Sequence, residues 1–171
     1  MKTVGDSINQ ENAKWSFGGD VADSFNEHVS KSVPIYQEAH EIGAHLSDFF
    51  LHDGSICYEL GCSTGVLTHK LAERNKHKDV QIIGIDIEEP MVKKAREFCS
   101  DFPNITILQE DILKIDLEPA DMILAYYTIQ FIQPKARQLL LDKIYNSLNW
   151  GGALVLFEKV RAPDARFQDI A

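Results

Sequence analysis

The chain has 171 residues, of which 44% are hydrophobic and 25% are charged, and its formal net charge is −9. This length fits a single domain, and the composition excludes disordered and fibrous proteins. Its 26 acidic residues outnumber its 17 basic ones, which disfavours an extended nucleic-acid or anionic membrane surface. We therefore expect a small-molecule partner.

Cellular location is indicated by the three cysteines and by the N-terminal sequence. Three cysteines are too few for a disulfide framework, and an odd number leaves one unpaired, which is typical of a reducing compartment. The first residues are polar and hold no apolar signal core. No apolar run reaches the ~18 residues of a membrane span. These features predict a cytoplasmic protein with no membrane segment.

In chain order, the polar residues 1–31 predict a loose lead-in or lid, and residues 32–171 a single domain. Apolar residues at helical spacing predict a first helix over residues 32–51, with Pro34 in its first turn.

Five short apolar runs follow the first helix, and they lie at residues 55–60, 80–86, 104–109, 120–127 and 152–158. Their near-continuous apolarity is typical of strands buried on both faces of a parallel sheet. Helical patterns fill three of the four gaps, at residues 64–75, 90–101 and 134–148, and Gly151 is the expected stop signal of the last. The third gap holds only a short crossover. This alternation predicts an α/β fold with a Rossmann-like, doubly wound, mostly parallel sheet.

The first predicted strand runs directly into the loop sequence ELGCSTG, and a helix follows. A dinucleotide fingerprint needs glycines where this chain has Ser63 and Val66, and the chain has no P-loop sequence. Gly61 and Gly65 still allow a ligand to approach the backbone, and the loop N–H groups are expected to face its amino-acid part. Glu59 is expected to accept from a ligand ammonium or to orient the loop.

Polar side chains end the next three strands. Asp86 ends the second strand, where a carboxylate accepts hydrogen bonds from both ribose hydroxyls of an adenosine ligand. Asp111 follows the third strand, where its side chain is expected to accept from an adenine amine while the N–H of Ile112 donates to a ring nitrogen. Tyr126 and Tyr127 end the fourth strand at the same carboxyl edge. Ligands of such folds bind along that edge.

The motifs ELGCSTG, GIDIEEPM, QEDI and LNWGGALVLFEK follow one another in the order found in class I S-adenosylmethionine-dependent methyltransferases, which the chain resembles. The resemblance covers residues 56–159, with Trp150 in place of the usual proline of the last motif. It implies the class I methyltransferase fold. The two C-terminal strands of that fold have no counterpart here, so we expect a homo-oligomer, such as a dimer, that covers the open sheet edge.

The segments KSVPIYQEAH, YYTIQFIQP and LLLDKIYNSLNWGGALVLFEK are also similar to carboxy-S-adenosylmethionine synthases. That family turns S-adenosylmethionine and prephenate into a carboxylated sulfonium used in tRNA wobble-uridine modification. The similarity covers residues 17–159, and the chain has Tyr126 where that family has an asparagine. The resemblance implies cofactor contacts at Tyr36, Gly61, Cys62, Ser63, Asp86, Ile87, Asp111 and Ile112.

The implied cofactor is S-adenosyl-L-methionine, with S-adenosyl-L-homocysteine or carboxy-S-adenosyl-L-methionine as related ligands. The main hypothesis is methyl transfer to a small-molecule or RNA-related acceptor. The alternatives are carboxy-S-adenosylmethionine synthesis from prephenate and a non-catalytic binding module. Methyl transfer needs positioning rather than a covalent intermediate, so no catalytic nucleophile is expected.

Tyr36 and Tyr126 are expected to close over the cationic sulfur. His40 and His45 are five residues apart, which predicts no zinc site.

Simpler explanations stay open for several of these residues. The two loop glycines alone would also fit an ordinary tight turn. Asp86 and Asp111 would also fit caps of the helix and the short crossover that follow them. Tyr36 and Tyr126 would equally fit ordinary packing.

Overall fold

The computed structural model describes residues 9–11, 14–16, 25, 29–31 and 33–159. The predicted lead-in lies largely outside these ranges. Its described part contains a short antiparallel ribbon of β1 (Asn9–Glu11) and β2 (Lys14–Ser16) that the sequence did not predict. The sequence of this stretch is polar, without the apolar alternation from which strands are recognised.

The five predicted strands form one sheet in which every pair is parallel. They are β3 (Ile56–Leu60), β4 (Gln81–Asp86), β5 (Ile105–Gln109), β6 (Ala120–Tyr126) and β7 (Leu148–Phe157). Their order across the sheet is β5-β4-β3-β6-β7. The chain adds β4 and β5 on one side of β3 and then β6 and β7 on its other side, as in doubly wound sheets. The predicted fold class is confirmed. Because all strands run the same way, their carboxyl ends meet at one edge.

The four predicted helices are also present, as α1 (Tyr36–Phe50), α2 (Val66–Asn75), α3 (Glu89–Phe98) and α4 (Pro134–Ser147). A short 3₁₀ turn (Ile129–Phe131) precedes α4. The first helix begins later than predicted because Ile35 has a left-handed backbone, with φ 53°. Pro34 therefore precedes α1 instead of lying in its first turn. Within the described ranges, no helix combines the length and apolarity that crossing a membrane requires.

Each face of the sheet is covered by its own apolar cluster. The cluster under α1 and α2 includes Ala39, Cys57, Leu67, Leu71, Ile82, Met122, Leu124 and Val155. The cluster on the opposite face, under α4, includes Tyr58, Leu60, Ile83, Ile85, Ile123, Ala125, Leu140 and Ile144. Adjacent residues of one strand enter opposite clusters, as the pleat of a strand requires. This burial on both faces explains the near-continuous apolar runs of the sequence.

The start of β7 corrects the role predicted for Gly151. The last helix ends at Ser147, and β7 begins at once, with Leu148 opposite Ala120. The register then shifts, so that Met122 faces Ala153. Gly151 lies within this irregularity at φ 85° and does not stop the helix. A bulge of this kind cannot be recognised from an apolar run, because its extra residues have no partners in the neighbouring strand.

Candidate functional site

The loop between β3 and α2 is built on three residues with left-handed backbones, Gly61 (φ 77°), Ser63 (φ 50°) and Gly65 (φ 80°). A Cβ on Gly61 would collide with the side chain of Thr128, whose hydroxyl donates to the Leu60 carbonyl at 2.8 Å. Glycine at position 61 is therefore required both by conformation and by the close approach of Thr128, two residues after the end of β6.

The N–H groups of this loop already have acceptors within the protein. Gly61 and Cys62 both donate to the carbonyl of Ile85, at 2.7 and 3.0 Å, and Ser63 donates to the carboxylate of Asp86 at 2.8 Å. These three donors hold the loop against the end of β4. The expectation that the loop N–H groups face the amino-acid part of a ligand stays a prediction, and three of these groups also have acceptors within the protein.

Asp86 connects the loop to the start of α3. Its Oδ2 accepts from the N–H of Ser63 at 2.8 Å, and its Oδ1 accepts from the N–H of Glu88 at 2.9 Å. Burial raises the pKa of Asp86, while these two hydrogen bonds oppose the rise. Asp86 thus acts as a local cap that ties the glycine loop to the start of α3.

Glu59 is a buried carboxyl group, 3% exposed, on the sheet face that α1 and α2 cover. It accepts a hydrogen bond from the Thr68 hydroxyl and a second from the Thr68 backbone N–H, in the first turn of α2. Burial raises its pKa to about 8, so at neutral pH it is mostly protonated. Glu59 thus holds the start of α2, and its two predicted roles, accepting from a ligand ammonium or orienting the loop, stay predictions.

Five aromatic side chains form a cluster at the carboxyl ends of β6 and β7, which we call the aromatic wall: Tyr36, His40, Tyr126, Tyr127 and Phe157. The Tyr126 hydroxyl donates to the Tyr36 carbonyl at 2.5 Å, and the two rings meet edge to face with centroids 5.0 Å apart. Tyr36 stacks on Tyr127 at 6.2 Å. The wall therefore joins the first residue of α1 to the ends of two strands.

His40 belongs to this wall although the sequence did not indicate it. It lies one helical turn after Tyr36, is only 3% exposed, and its ring centroid is 4.6 Å from that of Tyr36 and 4.4 Å from that of Tyr126. Burial lowers the pKa of His40 to about 4, so the imidazole is neutral at physiological pH. The i, i+4 spacing of Tyr36 and His40 was the available signal.

The segment after β6 is held by two contacts that sequence reasoning missed. Tyr127 has a left-handed backbone, with φ 52°, and its N–H donates to the Phe157 carbonyl at 2.7 Å. The carboxylate of Glu158 accepts from the N–H groups of Ile129 and Gln130, at 2.6 and 3.1 Å. An acidic residue that directly follows an apolar strand was the signal for Glu158.

Asp111 and Ile112 begin the short crossover after β5. Asp111 Oδ1 accepts from the N–H of Leu113 at 2.9 Å, and its Oδ2 pairs with Lys114 at 3.3 Å. The Ile112 side chain is buried in the cluster under α4. The capping role of Asp111 is therefore present. β5 pairs with β4 through Gln109 and Asp86, which places Asp111 along the same edge.

Comparison with known proteins adds independent information about this edge. Residues 58–152, which contain the loop, Asp86, Asp111 and Tyr126, match the model of a family described as a methyltransferase domain. The chain belongs to this methyltransferase-domain family.

Relatives and solved structures agree with this family. The carboxy-S-adenosyl-L-methionine synthase of Actinobacillus succinogenes is 40% identical over 154 residues, which are 88% of this chain and 64% of that protein. The synthase of Escherichia coli is 36% identical over 159 residues, or 91% of this chain and 64% of that protein. The chain thus spans less than two thirds of their length. The structure of the N-methyltransferase NodS from Bradyrhizobium japonicum, in complex with S-adenosyl-L-homocysteine, has a TM-score of 0.62 at 21% identity, covering 81% of this chain and 72% of that chain.

In this methyltransferase domain, the predicted site residues divide into two groups. Tyr36, Glu59 and Tyr126 lie around the wall, and Asp86 and Asp111 lie further along the edge. Two predicted cofactor contacts, Ile87 and Cys62, belong to neither group. The Ile87 side chain is exposed beside Asp86, and the Cys62 side chain is buried in a third apolar cluster with Val92, Ala95, Cys99 and Ile107. Among the described residues, no group of three or more His, Cys, Asp or Glu side chains is placed to hold a metal ion.

Proposed function

We propose that this methyltransferase domain binds S-adenosyl-L-methionine along the carboxyl ends of β3, β4, β5 and β6 and transfers its methyl group to an acceptor. The observation that carries the proposal is Asp86, which fixes the glycine loop through one oxygen and the start of α3 through the other. A ribose bound there would complete its remaining acceptor positions. Asp111 and the N–H of Ile112 would then take the adenine.

In methyl transfer the main task of the protein is to align the donor and the acceptor, and it forms no covalent bond with either. The acceptor's electron pair forms the new bond to the methyl carbon, the C–S electrons return to sulfur, and the sulfonium becomes a neutral thioether. An N–H or O–H acceptor loses its proton to solvent. The protein must hold the two partners ~3–3.5 Å apart and exclude water. Tyr36 and Tyr126 are the residues that we assign to the sulfur end of the ligand, and we assign no catalytic nucleophile.

Carboxy-S-adenosyl-L-methionine synthesis is the second candidate. It is supported by the relatives of that name, which are 36–40% identical over 88–91% of this chain. In that case the product would serve tRNA modification. Incubation of the protein with S-adenosylmethionine and prephenate, followed by mass spectrometry of the nucleosides, separates the candidates. A product heavier than S-adenosylmethionine by one CO₂ supports synthesis, and its absence excludes this candidate for the chain.

Binding of the cofactor is tested by calorimetry with S-adenosylmethionine and S-adenosylhomocysteine. Asp86→Asn should raise the Kd by at least about tenfold, because hydrogen bonds to a charged group contribute roughly 1.5–3 kcal/mol. Asp101→Asn, an exposed acid just after α3, is the matched control and should leave the Kd unchanged. Equal affinities of wild type and Asp86→Asn would contradict the proposed ribose site.

We also propose a cytoplasmic homo-oligomer, such as a dimer, that acts on a small molecule. The three free, buried cysteines support a reducing compartment. Among the described residues β7 pairs only with β6, and Leu156 on β7 is exposed, which supports an association edge. The net charge of −9 supports a small-molecule acceptor over a nucleic acid. Light scattering that shows a monomer at micromolar concentration would exclude the oligomer.

A further inference from the structure

The crossover between β5 and β6 is held by one side chain of α4. Lys143 Nζ donates to the carbonyls of Ile112, Leu113 and Ile115, at 3.2, 2.9 and 2.6 Å. A lysine ammonium has three N–H donors, so these carbonyls account for all of them. One side chain from a different element therefore fixes the backbone over residues 112–115.

Lys143 lies on a well-packed part of the molecule. Leu140 and Ile144, one turn before it and directly after it on α4, are 0% and 1% exposed in the apolar cluster under that helix. The Ile112 side chain is buried in the same cluster. The position of the ammonium is therefore set by the packing of α4 against the sheet. A contact made from such an element holds its partner in one place.

The contact reaches the carboxylate of Asp111 through one peptide group. The carbonyl of Ile112 and the N–H of Leu113 belong to the same peptide unit. That carbonyl accepts from Lys143 at 3.2 Å, and that N–H donates to Asp111 Oδ1 at 2.9 Å. Because a peptide group is planar, fixing its oxygen also fixes the direction of its N–H. Lys143 therefore helps to set the orientation of the Asp111 carboxylate.

The same arrangement leaves one backbone donor of the crossover for a ligand. The N–H of Leu113 donates to the Asp111 side chain, and those of Lys114 and Ile115 donate to the Asp111 carbonyl at 2.8 and 3.0 Å. Among the described residues, none accepts from the N–H of Ile112. An adenine edge presents an amine donor beside a ring-nitrogen acceptor. The Asp111 carboxylate and the Ile112 N–H are the complementary acceptor and donor, on adjacent residues.

We propose that Lys143 is a positioning residue for base recognition, which holds the Asp111 carboxylate and the Ile112 N–H in the geometry that selects adenine over a 6-oxo purine. This inference rests on the proposed function. A 6-oxo purine would turn an oxygen toward the Asp111 carboxylate and an N–H toward the Ile112 N–H, so both contacts would be repulsive. The strength of this rejection depends on how little the crossover can move, and Lys143 limits that movement. We assign Lys143 no contact with the ligand itself.

The test compares, by calorimetry, S-adenosylhomocysteine with S-inosylhomocysteine, which carries an oxygen in place of the adenine amine. The wild type should prefer the adenine ligand by about 30-fold or more, because two hydrogen bonds are replaced by two repulsive contacts. Lys143→Met removes the donors and should reduce this preference at least about fivefold, mainly by weakening the adenine ligand. Lys143→Arg keeps charged donors and should retain the preference to within about threefold. Lys135→Met, at an exposed lysine of α4, is the matched control and should retain it in full.

A second ligand pair separates positioning from a general disturbance. A loss of folded protein would weaken the adenine and 6-oxo ligands equally and leave their ratio unchanged. A disturbance of the whole site would also alter the ratio of the Kd values of S-adenosylmethionine and S-adenosylhomocysteine, which differ at the sulfur. Lys143→Met should leave this second ratio as it is in the wild type. If thermal melting shows that Lys143→Met does not fold, Lys143→Gln, with a shorter uncharged side chain, takes its place with the same expectation.

The outcomes distinguish this inference from the function on which it rests. Failure of S-adenosylhomocysteine to bind the wild type would overturn the proposed function itself. Equal binding of the adenine and 6-oxo ligands to the wild type would overturn base recognition by the crossover while leaving cofactor binding intact. An adenine preference that is unchanged in the folded Met or Gln variant, or that Lys143→Arg loses as fully as Lys143→Met, would overturn only the role of Lys143.

Discussion

The buried carboxyl of Glu59 leads to a quantitative prediction about stability and pH. Its pKa is about 8 in the folded protein and 4.5 in a solvated chain. Between these values the folded state holds a proton that the unfolded state has released, so the free energy of unfolding falls as pH rises. Over the whole window the loss is roughly 5 kcal/mol, because each pH unit corresponds to about 1.4 kcal/mol. That is a large part of the ~5–15 kcal/mol that stabilises a typical domain.

Glu59→Gln isolates this contribution. The glutamine amide has the shape of the protonated carboxyl, keeps an oxygen that accepts from Thr68, and does not titrate. Urea unfolding should therefore show Glu59→Gln near wild-type stability at pH 5 and more stable than wild type at pH 8.5, by up to roughly 4 kcal/mol. Glu97→Gln, at an exposed position of α3, is the matched control and should give no pH-dependent difference. A constant difference between Glu59→Gln and wild type across this pH range would refute a protonated Glu59.

Two further predictions use the same unfolding measurement. His40 has a pKa of about 4 when folded and 6.5 when unfolded, so its contribution to stability is lost as pH falls from 6.5 towards 4. His40→Phe should abolish this loss, which amounts to about 3 kcal/mol of unfolding free energy between pH 6.5 and pH 4. If the variant lost as much stability as the wild type over this range, a buried neutral imidazole would be contradicted. Gly65→Ala should cost roughly 1–3 kcal/mol more than Gly54→Ala, because both glycines have a left-handed backbone but only at position 65 would a Cβ meet Ala95 and Cys99, each at 3.0 Å. Equal losses for the two variants would show that conformation alone requires Gly65.

The sheet could be predicted from the sequence because its strands are buried on both faces. Runs such as that of β4 have no polar positions in their interior, and this pattern is specific to a covered parallel sheet. The placement of the loop, Asp86 and Asp111 at one edge could be predicted because each lies at or shortly after the end of a strand, and parallel strands bring their carboxyl ends to one edge. These are consequences of local pattern combined with a single topological rule.

The remaining features depend on contacts between residues that are distant in sequence. The hydrogen bonds from Gly61 and Cys62 to Ile85 exist only because β3 and β4 pair in one particular register. His40 has the spacing of an ordinary helix-core residue, and only the packing of α1 against the end of β6 brings it into contact with the rings of two tyrosines. The left-handed backbone of Ile35 contradicts local preference, because a β-branched side chain rarely adopts it.

Backbone strain is concentrated at the carboxyl edge of the sheet. In the described part of the chain, three non-glycine residues have left-handed backbones: Ile35, Ser63 and Tyr127. They adjoin α1, the glycine loop and the end of β6, which are the three segments that border the proposed sulfur end of the ligand. Each costs roughly 1–2 kcal/mol relative to a relaxed backbone, and packing alone gives no reason to place all three there. The Tyr126–Tyr36 hydrogen bond and the Asp86–Ser63 hydrogen bond offset part of this cost. This distribution supports the proposed binding edge, because the same three segments would each need to turn sharply for their side chains to converge on one ligand.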